Sequence, residues 1–330
     1  MAEQLISTAV HHMLPDSYVR SEADRPRLDE VVPDADIPVV DLANPDRAAV
    51  VAQIGAACSS HGFFQVLNHG LPVEVMLAAM AVAHDFFRLS PEEKAKLYSD
   101  DPAKKTRLST SFNVRKETVH NWRDYLRLHC HPEGPANPPP FRDVISTYCK
   151  EVQELGFRFY AALSESLGLE QDYIKMVLGE QEQHMAVNFY PKCPSPELTY
   201  GLPAHTVPNA LTILMMDEQV AGLQVLKEGR WIAVNPQPNA FIINLGDQLQ
   251  VRAAGVTAAG GAASRGTVAV GAETSGTAAG GVEAGGAAAR DAEAGGAARV
   301  SAAARMINAL ASAIRTGVDI FKCANIDTDE

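Results

Sequence analysis

The side chain best placed to bind a transition metal in this sequence is His205, in the loop of residues 202–212 between two strand-like runs. Imidazole is a common ligand of iron, zinc and copper. Two positions later, where a carboxylate would complete a chelate, stands Val207, which has no lone pair to donate. His205 is also the last histidine of the sequence, so residues 206–330 supply no second imidazole. The loop therefore predicts half of a metal site.

Other histidines offer weaker alternatives. His129 and His131 would share one face of a strand and could form a metal pair. We find no third ligand beside them in the sequence and expect an ordinary polar rim. The remaining candidates are expected to be structural or solvated: His61 and His69 at a strand end and a turn, and His11 and His12 in an arm.

Hydrophobic periodicity predicts the elements that must hold the 202–212 loop. An irregular arm covers residues 1–36. One helix is predicted to begin at Asn44-Pro45 and another at Ser90, and two more are predicted over residues 72–89 and 141–167. Strands are predicted at residues 37–42 and 63–67, and five more between residues 184 and 250. Residues 99–140 show little hydrophobic periodicity and are expected to form a long functional or disordered loop.

These elements predict an α+β fold, with N-terminal helices around a jelly-roll (double-stranded β-helix) core that is incomplete here. We divide the chain into an N-terminal domain with its arm (1–98), a loop and long helix on the substrate side (99–182) and a partial jelly-roll domain (183–250). A low-complexity segment (251–305) and a short helix with an acidic end (306–330) follow.

The low-complexity segment has an extreme composition. Residues 251–305 contain 21 Ala and 12 Gly, and their apolar residues beyond alanine are six valines. Because glycine costs about 1 kcal/mol at each helix-interior position and little apolar surface is available for burial, we expect this segment to be disordered.

Composition also limits the function classes. The formal net charge of −12 argues against nucleic acid or an anionic membrane surface as a partner. The N-terminal residues do not resemble a secretory signal, and no apolar run reaches the roughly 20 residues of a membrane helix. The five cysteines are far apart and contain no C-x-x-C pair, which favours reduced thiols and a cytoplasmic location; the oligomeric state stays open.

Several stretches together resemble one family. Residues 61–70 (HGFFQVLNHG), 188–191 (NFYP), 201–212, 222–225 (GLQV) and 244–247 (NLGD) are similar to motifs of the plant 2-oxoglutarate/Fe(II)-dependent dioxygenases, which oxidise flavonoids, hormones and phenolic acids. Residues 106–113 (TRLSTSFN) and 122–126 (WRDYL) resemble the downy-mildew-resistance type, implicated in salicylate 5-hydroxylation and flavone synthesis. The resemblance extends to about residue 250.

The resemblance implies roles for five residues. His205 would be the first Fe(II) ligand, and Tyr190, supported by Asn188, would hydrogen-bond 2-oxoglutarate. Phe112 and Trp122 would wall a pocket for a small aromatic substrate, a flavanone or salicylate. The implied cofactors are Fe(II) and 2-oxoglutarate, with ascorbate as an activator.

Two departures separate the chain from that pattern. Val207 stands where the carboxylate ligand belongs, and the distal histidine has no counterpart. The Arg-x-Ser that binds 2-oxoglutarate is matched in letters by residues 299–301, within the Ala/Gly-rich segment. We therefore expect a catalytically inactive member of the family, and infer a frameshift or mis-spliced exon near residue 250. The alternatives are a non-catalytic protein that binds a phenolic ligand or a partner, and an active enzyme whose C-terminal part is misread.

Overall fold

The computed structural model describes residues 5–33, 37–101, 103–131, 141–218, 222–227, 230–249 and 320–322. Its helices are α1 (Arg47–Ser60), α2 (Val73–Phe87), α3 (Pro91–Leu97), α4 (Phe141–Ser166) and α5 (Tyr173–Leu178). Its strands are β1 (Val39–Asp41), β2 (Phe63–Leu67), β3 (Arg107–Thr110), β4 (Asp124–His131), β5 (Gln183–Phe189), β6 (Leu211–Met215), β7 (Leu223–Lys227), β8 (Arg230–Val234), β9 (Phe241–Leu245) and β10 (Ile320–Lys322). Short 3-10 turns precede β1.

The central sheet has the strand order β1-β2-β9-β6, with β1 parallel to β2 and the other pairs antiparallel. Alternate residues of β2 and β9 point to opposite faces of this sheet. On one face, Phe64, Val66, Phe241 and Ile243 join the large apolar core, which also includes residues of α1, α2 and α4. Both faces of the two middle strands are buried, so their register is strongly specified.

The opposite face of the central sheet packs against a second sheet of order β10-β7-β8. Phe63 of β2 and Ile242 of β9 contribute to a separate apolar cluster with Leu223, Val225 and Val234 of this second sheet. Two sheets that enclose an apolar layer are the arrangement expected for a sandwich or jelly roll.

β5 falls in the run of strands predicted from residue 184, whereas the sequence analysis missed β3 and β4 and treated residues 99–140 as a long loop. These three strands form the third sheet, of order β3-β4-β5. One of its faces closes the helical core through Leu108, Leu126, Leu128 and Val187. The interpretation as a loop was wrong because polar residues alternate with these leucines along β4. That pattern is typical of a strand with one buried face.

Helix boundaries follow local capping. The carboxylate of Asp46 accepts a hydrogen bond from the Ala49 amide at 3.1 Å, so α1 begins at Arg47 and not at the predicted Asn44-Pro45. Ser90 caps α3 as predicted, through a 3.4 Å bond from the Glu93 amide to Oγ. The six-residue helix α5 was not predicted because it is too short to show a helical period.

Most predictions for the C-terminal part lie outside the described residues. These include the predicted disordered segment 251–305, the Arg-x-Ser at 299–301 and most of 306–330. Within 306–330 the structure describes β10, an unpredicted strand antiparallel to β7. Among the described helices, none combines the length and apolar character needed to cross a membrane.

A buried carboxylate fastens the N-terminal arm to the third sheet. The side chain of Asp124, at the start of β4, is fully buried and accepts hydrogen bonds from the amides of Ile6 at 3.3 Å and Ser7 at 2.8 Å. Burial raises the pKa of this carboxyl, while the bonds from Ser7 act in the opposite direction. The Lys94 ammonium donates to the Ser7 carbonyl at 2.7 Å and fixes the same turn from α3.

We expect Asp124→Ala to lower the free energy of unfolding by about 1–3 kcal/mol, because two buried amides lose their acceptor. Asp124→Asn keeps one acceptor oxygen and should cost less. The measurement is urea unfolding followed by circular dichroism. The control is Asp85→Ala, at a carboxylate that is 74% exposed, which should change stability by no more than about 0.5 kcal/mol. Equal losses for Asp124→Ala and Asp85→Ala would contradict the role of Asp124.

Candidate active site

Backbone hydrogen bonds hold the 202–212 loop in place. The consecutive amides of Gly246, Asp247 and Gln248 donate to the carbonyls of Ala210 at 2.9 Å, Val207 at 2.8 Å and Asn209 at 3.2 Å. A Cβ atom on Gly246 would lie 1.9 Å from the Asn209 carbonyl oxygen, so glycine is required at this close approach. The end of β9 therefore fixes the backbone path of the loop after His205.

His205 is half-buried, and its Nδ1 lies 3.0 Å from the Pro203 carbonyl oxygen. A carbonyl only accepts, so this contact places the ring proton on Nδ1. The lone pair then belongs to Nε2. Metal-binding histidines are commonly oriented by such a bond from the second ring nitrogen. His205 thus has the tautomer that a metal ligand needs.

Val207 is half-buried and packs against the apolar cluster between the central and second sheets. Its backbone is held by Asp247, and its side chain contributes hydrophobic contact where the family resemblance expects a ligand oxygen. A carboxylate does lie beside the loop, since Asp247 Oδ2 accepts a hydrogen bond from Thr206 Oγ1 at 3.0 Å. The sequence analysis treated Asp247 only as part of a matching strand.

The two residues expected to bind 2-oxoglutarate lie at the end of β5. Tyr190 is buried, with 3% of its surface exposed, and Asn188 Oδ1 accepts a hydrogen bond from Arg123 Nη1 at 3.2 Å. Asn188 is the cross-strand partner of Tyr125 on β4. Asn188 is thus a residue of the third sheet that is hydrogen-bonded to Arg123. Its contact with 2-oxoglutarate stays a prediction.

The two residues expected to wall the substrate pocket are separated. Trp122 is 2% exposed and packs with Ile6 and Tyr18 of the arm, and its indole N–H donates to the Pro191 carbonyl at 2.8 Å. Phe112 lies in the turn between β3 and β4 and is 59% exposed. Their pocket roles stay predictions, and the surroundings of Trp122 are those of a core residue.

The outer face of the third sheet carries polar residues that the sequence analysis did not single out. Arg107 and Arg127 are direct cross-strand partners on this face. Arg107 donates to the Tyr125 hydroxyl at 3.3 Å, and the guanidinium of Arg123 lies 4.5 Å from the centre of the Tyr125 ring. The period-two alternation of residues 124–131 could have revealed this face.

The interpretation of the histidine pair 129/131 needs correction. A β-bulge separates His129 from His131, and His131 is exposed while His129 is buried. The ring next to His129 is His184, its cross-strand partner on β5, and Glu182 lies beside both. A third potential ligand is therefore present, which the sequence alone could not reveal because the strand pairing is non-local.

Comparisons with known proteins identify the family. Residues 37–144 match the model described as "non-haem dioxygenase in morphine synthesis N-terminal", and residues 181–257 match the 2OG-Fe(II) oxygenase superfamily. The rice protein "Flavanone 3-dioxygenase 2" is 69% identical over 258 residues, covering 76% of this chain and 75% of the relative. The chain belongs to the 2OG-Fe(II) oxygenase superfamily.

Two further comparisons support the assignment. The Arabidopsis thaliana "Protein DOWNY MILDEW RESISTANCE 6" is 59% identical over 263 residues, 78% of this chain and 77% of the relative. The crystal structure of JOX2 in complex with 2OG, Fe and JA is 38% identical, with a TM-score of 0.67 over 74% of this chain and 73% of that chain. The predicted family and jelly-roll fold class are confirmed, and the superfamily match ends at residue 257, close to the predicted limit near 250.

The family uses Fe(II) and 2-oxoglutarate, and the described residues do not provide a complete iron site at the 202–212 loop. His205 fits one coordination position, whereas Val207 offers no ligand atom. Within the described ranges, the three potential ligands that come together are His129, Glu182 and His184, a group without His205. The donor set at the loop therefore does not fit a resident iron ion.

We expect Gly246→Ala to lower the free energy of unfolding by about 1–3 kcal/mol, because the added Cβ must displace the Asn209 carbonyl. Urea unfolding measures the loss. Gly156→Ala on α4 is the matched control, since its added Cβ meets only the Ile213 side chain, at an ordinary 3.8 Å. That substitution should be neutral or stabilising. A neutral result for Gly246→Ala would show that the loop is not held by this close approach.

Proposed function

We propose that this chain is a 2-oxoglutarate/Fe(II) oxygenase relative that does not turn over substrate as its sequence stands, and that it binds an aromatic small molecule. The absence of turnover is inferred from Val207, whose side chain packs against the inter-sheet apolar cluster where a ligand carboxylate is expected. A carboxylate at the same position would face that cluster and would need a cation to offset its desolvation.

Coordination chemistry supports the absence of turnover. Non-haem oxygenases of this type hold Fe(II) with two histidines and one carboxylate. The loop offers His205 alone, and residues 206–330 contain no further histidine. Fe(II) stands low in the affinity order of divalent metals, so one imidazole binds it too weakly to fill the site at micromolar concentrations.

An anaerobic titration with Fe(II) and 2-oxoglutarate tests this part. We expect no visible charge-transfer band from the wild-type chain at micromolar iron, and no succinate when O₂ and a flavanone or salicylate are added. His205→Gln is the matched control and should behave like the wild type. A band that appears in the wild type and disappears in His205→Gln would overturn the proposal and favour an active enzyme.

The polar face of the third sheet favours retained ligand binding. Arg107 is 7% exposed and Arg127 is half-buried, and the two lie directly opposite each other. Two cationic side chains on one sheet face make that face electropositive, which favours an anionic ligand. The buried Tyr125 ring beside them offers an aromatic contact. We infer an aromatic anion of the salicylate class in preference to a neutral flavanone.

Thermal unfolding with each ligand tests this assignment. We expect salicylate to raise the melting temperature at saturating concentration and a flavanone to have a smaller effect. Arg127→Gln should weaken salicylate binding roughly tenfold or more, because a charge-assisted hydrogen bond is lost. Arg142→Gln on α4 is the control, at an exposed guanidinium, and should leave binding unchanged. An equal salicylate shift in the wild type and in Arg127→Gln would contradict the inference.

We also propose that the protein is located in the cytoplasm. Three buried cysteines of the described ranges, Cys58, Cys130 and Cys149, form no disulfide. Burial raises the pKa of the Cys58 thiol, which favours its unreactive protonated form. Unpaired cysteines of this kind are typical of a reducing compartment.

A further inference from the structure

Two histidines and a glutamate meet at one end of the third sheet. His129 on β4 and His184 on β5 are direct cross-strand partners, and their rings stack with centroids 4.6 Å apart and planes inclined by 11°. Glu182, just before β5, places Oε2 3.1 Å from His184 Nε2 and 3.7 Å from His129 Nε2. One potential ligand atom from each of the three residues lies within 4.8 Å of the other two.

The buried member of this group has an unsatisfied nitrogen. His129 is 8% exposed, and its Nε2 has no hydrogen-bond partner among the residues that the structure describes. A buried polar atom without a partner is unfavourable, so its retention calls for an explanation. The atom points toward Glu182 Oε2 at a distance too long for a hydrogen bond.

This group is distinct from the 202–212 loop. His205 is not among its members. It also lies away from Tyr190, which is six residue steps beyond His184 along extended chain. At about 3.3 Å per residue, that separation is about 20 Å along β5.

The donor set suits a divalent transition metal. Imidazole nitrogens and a carboxylate oxygen are ligands for Zn²⁺, Co²⁺ and Cu²⁺, and a tetrahedral ion at bond lengths of about 2.0–2.1 Å needs donor separations of about 3.3 Å. Glu182 Oε2 already lies 3.1 Å from His184 Nε2 and 3.7 Å from His129 Nε2. Because the ring planes are nearly parallel, the exposed His184 must tilt to direct its lone pair at a shared ion, and the exposed Glu182 can follow.

We propose that His129, Glu182 and His184 form a binding site for one divalent transition metal ion, separate from the family's iron position. The ion would satisfy the buried nitrogen of His129 and join β4 to β5 through side chains. Open coordination positions would remain for water or a small ligand.

Calorimetric titration of the untagged full chain with Zn²⁺ tests the site, and the visible ligand-field spectrum of Co²⁺ gives a second readout. We expect one equivalent to bind. The exposed positions allow variants that should fold normally, so Glu182→Gln and His184→Gln should each weaken binding at least tenfold and reduce the Co²⁺ spectrum.

Two histidine variants serve as controls. His131→Gln lies on the same strand beyond the bulge, and His205→Gln removes the loop imidazole; both should keep wild-type affinity. The proposal is overturned if the wild type binds no Zn²⁺ or Co²⁺, or if Glu182→Gln and His184→Gln bind as tightly as the wild type. Loss of binding in His205→Gln would instead locate the ion at the 202–212 loop.

Discussion

The two-sided burial of β9 is the constraint on which the rest of the described structure depends. All five residues of this strand are buried, and its partners are β2 and β6. Phe241 and Ile243 face the helical core, while Ile242 faces the second sheet. Because a slip by one residue would exchange these faces, the position of the strand end is fixed, and so is the backbone contact between Gly246 and the 202–212 loop.

The path of the loop is set by contacts within the protein. In the described structure, the backbone amides of residues 246–248 donate hydrogen bonds to loop carbonyls, and Val207 packs against the inter-sheet cluster. Neither interaction requires an ion. The elements of the jelly-roll architecture and the ligand atoms of an iron site are therefore separate requirements on the sequence, and Val207 meets the first without supplying the second.

Local patterns predicted much of the fold. The periods of α2, α4, β2, β6 and β9 each lie within one continuous segment, so the sequence was enough to place them. The capping of α3 by Ser90 was predicted for the same reason. β3 and β4 were missed because the polar residues that alternate with their leucines were interpreted as part of a loop. The tight enclosure of Trp122 was missed because it depends on the distant arm.

The candidate sites show even more clearly that contacts between distant segments could not be predicted from local sequence patterns. His205 and Val207 are two residues apart, so their chemistry could be assessed from the sequence. His129 and His184 become neighbours only through the register of β4 with β5, and Arg107 and Arg127 only through that of β3 with β4. The third sheet thus uses its two faces differently. Leucines on one face are buried against the helices, and the strand register places the arginines and histidines on the other face. The outer face of the third sheet therefore has a fixed chemical pattern that does not rely on the incomplete iron loop.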